Sequence, residues 1–172
     1  MIHGTGPSKC WHVIYTHSRA EKKVCQELTE NNIECFLPLQ KMLRKWKDRK
    51  KWVEMPLFPG YCFVYITRKE YDKVLQTNKV VAYITFEGKA AVVSNQQIEE
   101  LKQLVQQSEF EYQVSTENFR EGKKVEIIEG PLLGLKGELV RSSGKNKFII
   151  RLHQLNNILM VQIPTSCLTY YT

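Results

Sequence analysis

The segment Pro56-Leu57-Phe58-Pro59-Gly60-Tyr61-Cys62-Phe63-Val64-Tyr65-Ile66 limits the fold more tightly than any other part of the chain. A Pro-Gly turn opens directly into a strand-forming run. Side chains alternate along a strand, so Tyr61, Phe63 and Tyr65 share one face and Cys62, Val64 and Ile66 the other. Neither face suits water. The strand is therefore either central and covered on both sides, or its aromatic face is a surface that another macromolecule covers.

Just upstream, residues 41–51 carry seven basic side chains (Lys41, Arg44, Lys45, Lys47, Arg49, Lys50 and Lys51) against one acid, Asp48. The whole chain has a formal net charge of +7, so nearly all of the excess sits in this one segment. Such a patch attracts polyanions by releasing their counterions. Trp46 and Trp52 lie inside and beside it, and exposed tryptophan is costly unless it packs on a sheet or a base. Aromatic surface next to concentrated positive charge points to work on nucleic acid or its machinery. Lys45, Trp46, Lys47, Arg49, Lys50 and Lys51 are the candidate nucleic-acid-binding residues; the bland alternative is a solvated hairpin.

With 172 residues, 42% of them apolar, the chain suffices for one ordinary domain or two small ones with a real core. Its five cysteines (Cys10, Cys25, Cys35, Cys62 and Cys167) are an odd number at unrelated spacings, without a Cys-x-x-Cys pair. That pattern favours reduced thiols in a cytosol. Cys10, His12 and His17 lie close together but at no common zinc spacing, so no metal site is assigned. No apolar run reaches membrane length and residues 1–9 lack the features of a signal peptide, so a soluble, cytoplasmic protein with no membrane partner is expected. Catalysis finds little support. Aspartate occurs only as Asp48 and Asp72, and no Gly-x-Ser-x-Gly, Walker or Gly-x-Gly-x-x-Gly sequence is present. No catalytic residue and no cofactor is assigned.

Residues 11–16 read as a strand, and Ser18 with Glu21 reads as a capping box opening a helix with Val24, Cys25 and Leu28 inward. Residues 34–39 form a second strand, and the basic segment returns through Trp52 and Val53 as a long hairpin into the strand at 61–66. Thr67 with Glu70 caps a second helix; residues 80–86 give a fourth strand and 90–93 a short extended piece. Ser94 with Gln97 begins a third helix, whose Ile98, Leu101, Leu104 and Val105 form one stripe. Three helices against an antiparallel sheet make an α+β domain over residues 1–105. Residues 106–119 are polar and aperiodic and read as a linker. Beyond them, strands at 124–128, 137–141, 148–152, 159–163 and 168–171 suit a small all-β barrel over residues 120–172.

The second domain opens Gly122-Lys123-Lys124-Val125-Glu126-Ile127-Ile128-Glu129-Gly130-Pro131-Leu132-Leu133-Gly134-Leu135-Lys136-Gly137. This resembles the KOW motif, in which two strands joined by a Gly-Pro turn and further glycines build the first hairpin of an SH3-like barrel. Gly134 and Gly137 are expected to supply backbone freedom in the loop. A KOW barrel alone leaves a ribosome- or RNA-binding protein open.

Trp11-His12-Val13-Ile14-Tyr15, then Leu57-Phe58-Pro59-Gly60-Tyr61 with Phe63-Val64, then a KOW domain together resemble the NusG family of transcription elongation factors. The resemblance runs from Cys10 to Leu168. It implies a non-catalytic factor whose first domain binds the clamp helices of the RNA polymerase β′ subunit, beside upstream or non-template DNA of the transcription bubble, and suppresses pausing. Carried over by position, the polymerase-binding pocket is Tyr15, Phe58, Tyr61 and Phe63. The basic hairpin and the Pro-Leu-Phe-Pro-Gly-Tyr run look most like the specialised RfaH and UpxY types, antiterminators of selected operons such as those for surface polysaccharides. The housekeeping branch, which couples polymerase to the ribosome or Rho, is the alternative. The loop leucines Leu132, Leu133 and Leu135 are the expected contacts for a ribosomal protein or Rho, or else they plug the barrel's end. A monomer is expected.

Overall fold

The computed structural model describes residues 8–107, 112–115, 120–142, 144–152 and 157–171. The chain divides into two compact units, Met1–Glu99 and Glu100–Thr172.

The first unit is built on strands β1 (Cys10–Thr16), β2 (Glu34–Phe36), β5 (Tyr61–Ile66) and β6 (Val80–Tyr83), in the order β2-β5-β1-β6. All pairings are antiparallel, and Trp11, Val13 and Tyr15 stand opposite Tyr65, Phe63 and Tyr61. The strand at 61–66 is thus internal. Its Cys62, Val64 and Ile66 side is fully buried with Ile14 of β1, Val24 and Leu28 of helix α1 (Glu21–Glu30) and Val74 of helix α2 (Tyr71–Leu75). The expected strand at 80–86 is split: after β6, strands β7 (Thr85–Phe86) and β8 (Lys89–Ala90) make a small hairpin, and β9 (Val92–Val93) pairs with β1. Glu87 and Gly88 both take positive φ at its turn, which is what so tight a reversal demands.

Two of the three expected capping boxes form. Thr67 donates from its backbone N–H (2.8 Å) and its hydroxyl (2.9 Å) to the Glu70 carboxylate, holding that carboxyl below its ordinary pKa. Ser94 and Gln97 exchange the equivalent bonds at the head of helix α3 (Asn95–Gln106). The Ser18–Glu21 box does not form. Ala20 is the N-cap of α1, and Glu21 is buried and accepts from the backbone N–H of Gly60 at 2.8 Å. A buried N–H without a partner costs more than an exposed helix end left to water, so the carboxylate serves the tertiary bond.

Strands β3 (Leu39–Lys45) and β4 (Lys50–Pro56) pair only with each other, which confirms the basic hairpin. Its root is closed by the Leu57 N–H, which donates to Pro38 O at 2.8 Å.

The second unit contains a six-stranded antiparallel sheet in the order β10-β14-β13-β12-β11-β15. Its strands are β10 (Tyr112–Ser115), β11 (Lys123–Ile127), β12 (Lys136–Ser142), β13 (Lys145–Leu152), β14 (Asn157–Val161) and β15 (Leu168–Tyr170). One departure is instructive. Within residues 106–119, read as a linker, β10 pairs with β14 in register Tyr112↔Val161. Tyr112 is buried, and its hydroxyl donates to Leu104 O at 2.7 Å, a second bond on a carbonyl that also accepts from the Gln107 N–H at the end of α3. Burial pushes that phenol up to about 12. Four residues are too short for a period to be legible in sequence. Glu138 on β12 binds Arg151 on β13 through two bonds, 2.6 and 3.0 Å, and also accepts from the Gly122 N–H.

Gly134 takes φ +85, as the loop requires. The reason for Gly137 is different. Its backbone is ordinary, but a Cβ there would lie 2.5 Å from both the Phe148 ring and Ile149 O, so glycine is needed for close approach of β13.

Candidate functional site

The four residues proposed for a protein-binding pocket gather where β1 meets the start of β5. Tyr15 and Tyr61 are cross-strand partners with ring centroids 5.6 Å apart, edge to face. Phe63 carries the aromatic face inward, with Phe58 6.4 Å and Phe36 5.9 Å away. The residues do not play equal parts. Phe58 and Phe63 are fully buried, Tyr61 is half-buried, and Tyr15 is 42% exposed. The question left open by the alternating strand is therefore answered residue by residue: Phe63 is core, while Tyr15 and Tyr61 form an aromatic lip.

Gly60 shapes that lip. It takes φ +86, and a Cβ added to it would meet the Tyr15 ring at 2.7 Å. Its N–H is held by the buried Glu21 carboxylate and its carbonyl accepts from the Thr16 N–H at 2.8 Å. The turn that positions Tyr61 is thus fixed from both sides. The sequence does not reveal the part Glu21 plays here, because its partner lies 39 residues away. A glutamate at a helix start offers only the capping signal.

The hairpin places its charges at its far end. Lys45 stands opposite Lys50, and Arg44 opposite Lys51. Like charges directly across a strand pair are destabilising, so two such pairs in succession impose a cost that an anionic ligand would remove. The connecting loop carries Trp46, half-exposed, with the Arg49 guanidinium 6.0 Å from its ring centre. Lys47 lies in the same exposed loop. Alternation puts Leu43 and Trp52, a cross-strand pair, on the same face as Lys45 and Lys50. Trp52 is 62% exposed and belongs with the candidate residues. The alternation of residues 50–56 carried that signal once the hairpin register was known.

The loop leucines divide as well. Leu132 and Leu135 are buried, and only Leu133 is open, at 60% exposure. The expectation that all three are exposed partner contacts is corrected for two of them. Leu135 accepts from the Ile127 N–H and donates its own N–H to Leu132 O, which turns both side chains inward. Replacing Leu132 by Asp buries an unpaired charge and is expected to destabilise this unit by about 3–5 kcal/mol. Leu133→Asp should leave the thermal transition in place; a melting scan of both variants checks the contrast.

Among the described residues no group of three or more His, Cys, Asp or Glu side chains could hold a metal ion, and no helix is long and apolar enough to cross a membrane. Cys10 and His12 lie 3.3 Å apart, with the second imidazole nitrogen 3.1 Å from Ala91 O. Burial lowers the His12 pKa and raises that of Cys10, the reverse of an activated thiol.

The family model described as "Transcription termination factor nusG" matches residues 9–102, which include both the aromatic lip and the hairpin. Proteins named "Transcription termination/antitermination protein NusG" from Streptococcus pyogenes serotypes M3 and M1 are each 24% identical over 167 residues, covering 90% of this chain and 93% of theirs. A solved structure described as "Domain interaction in Thermotoga maritima NusG" superposes with a TM-score of 0.54 at 22% identity, covering 94% of this chain and 96% of that one.

Proposed function

The chain belongs to the NusG family, and we propose that it is a non-catalytic transcription elongation and antitermination factor that rides on RNA polymerase. The observation that carries this reading is the pairing, on one unit, of a half-open aromatic lip with a hairpin that is basic at its tip. The lip would receive the clamp helices of the polymerase β′ subunit, with Tyr15 and Tyr61 as contacts and Phe58 and Phe63 as the support beneath them. Aromatic residues seated on a rigid base are the usual anchors of protein interfaces.

The hairpin root closes at Leu57, next to Phe58. A polymerase bound at the lip would therefore bring the tip close to its own nucleic acid. Lys45, Lys47, Arg49, Lys50 and Lys51 would neutralise phosphates of upstream duplex or the non-template strand, and Trp46 would stack on a base. The second unit, read as a KOW domain with an SH3-like barrel, would recruit a ribosomal protein, Rho or another factor through Leu133. The hairpin's charge supports a specialised RfaH or UpxY type acting on selected operons. The sequence likeness to proteins named NusG supports the housekeeping alternative.

Affinity-tagged full-length protein should retain core RNA polymerase from a lysate of its host, and lose it on Tyr15→Ala. Failure to retain polymerase would overturn the reading. Mapping its occupancy over transcribed DNA separates the branches: a few long operons for the specialised type, most transcribed units for the housekeeping one.

A further inference from the structure

A groove of about 590 Å³ lies between α1 and the root of the hairpin, lined by Lys22, Cys25, Glu30, Cys35, Leu37 and Leu39 among others. It is on the α1 side of the sheet, and neither the aromatic lip nor the hairpin tip uses it. Two of its lining residues are half-buried cysteines from different elements, Cys25 on α1 and Cys35 on β2. Cys25 Sγ donates to the backbone oxygen of Cys35 at 3.5 Å, so the two residues meet across the groove wall. Cys62 lies diagonally across from Cys35 on β5, two residues before Cys35's partner Val64, but it is fully buried and its thiol donates to Glu21 O at 3.7 Å.

We propose that Cys25 and Cys35 form an oxidant-responsive modification site, in which a small peroxide entering the groove converts the two thiols into a disulfide joining α1 to β2. Cys25 is the attacking sulfur. The neighbouring Cys35 holds its pKa below the ordinary thiol value, whereas the proximity of Cys25 and Cys62, together with burial, holds Cys35 well above it. Lys22, one turn earlier on the same helix, adds positive charge to the groove wall, while Glu30 faces it from the other end.

The Cys25 thiolate attacks one oxygen of hydrogen peroxide. An S–O bond forms, the O–O bond breaks, and the departing hydroxide takes up a proton to leave as water. The sulfur is oxidised by two electrons to a sulfenic acid. Cys35 then attacks that sulfur, forming the S–S bond as the S–O bond breaks, and its proton leaves with the hydroxyl as a second water. Because β2 runs through Leu37 and Pro38 into β3, the new bond would anchor the root of the hairpin to α1.

The test uses the full chain, reduced and then treated with hydrogen peroxide, digested without reductant and mapped by mass spectrometry. The expected product is a Cys25–Cys35 linked peptide pair that dithiothreitol separates. In Cys35→Ser, Cys25 should stop at the sulfenic acid and be captured by dimedone; in Cys62→Ser the Cys25–Cys35 link should still form. The proposal is overturned if Cys10 or Cys167 oxidises while Cys25 stays reduced, if Cys35 links to Cys62 instead, or if Cys35→Ser yields no captured sulfenic acid at Cys25.

Discussion

Phe63→Ala should cost about 3–5 kcal/mol of folding stability, the range for removing a buried phenylalanine and leaving a cavity. Phe63 is fully buried at the junction of β1, β2 and β5, and both Phe58 and Phe36 lean on it. That loss is a large part of the about 5–15 kcal/mol that holds a typical domain together, so a substantial unfolded fraction at growth temperature is expected. Tyr15→Ala should behave in the opposite way. Its ring is 42% exposed, so the fold should persist while polymerase binding weakens by about 1–3 kcal/mol, the range of interface anchors. Thermal denaturation and a polymerase-binding titration of the two variants check this. If Tyr15→Ala binds polymerase as well as the wild type, the aromatic lip is not the interface.

Charge reversal at the hairpin tip should have the second large effect, and it separates binding from folding. Lys45, Lys50 and Lys51 replaced together by Glu should weaken binding to nucleic acid and flatten its salt dependence. The slope of log affinity against log salt should shrink by about 2–3, since each lost phosphate contact removes about 0.7–0.9. Lys50→Glu alone is the sharper variant. It sets an acid opposite Lys45 and turns a repulsive cross-strand pair into an attractive one, which should stabilise the hairpin by about 0.2–1 kcal/mol. Binding should nevertheless fall, with the slope reduced by about 1. An unchanged slope measured by fluorescence anisotropy over a salt series would mean that the tip is a solvated face.

Much of this was legible because it is local. Alternation in residues 61–66 separates a wholly aliphatic and thiol side from an aromatic one, and the structure has that division, with the first side sealed beneath α1 and α2. The concentration of charge between Lys41 and Lys51 is likewise a property of the chain, and a two-stranded hairpin displays it. Thr67–Glu70 and Ser94–Gln97 could be read as caps because both partners lie within one turn.

The remainder depends on partners distant in sequence. Glu21 carries the same local signal as Glu70, yet it serves the Gly60 N–H, a choice made only when the turn before β5 packs against the start of α1. Tyr112 lies in a polar stretch, and a neighbouring strand and the end of α3 make it part of a sheet and a core. Alternation assigns Tyr61 and Phe63 to one face but does not say which of them water reaches, because exposure is set by the elements packed around that face. The same holds for Leu132, Leu133 and Leu135. Periodicity, charge and capping are encoded over a few residues and so belong to the sequence alone; burial and long-range hydrogen bonding join residues tens of positions apart, and only the folded chain decides them.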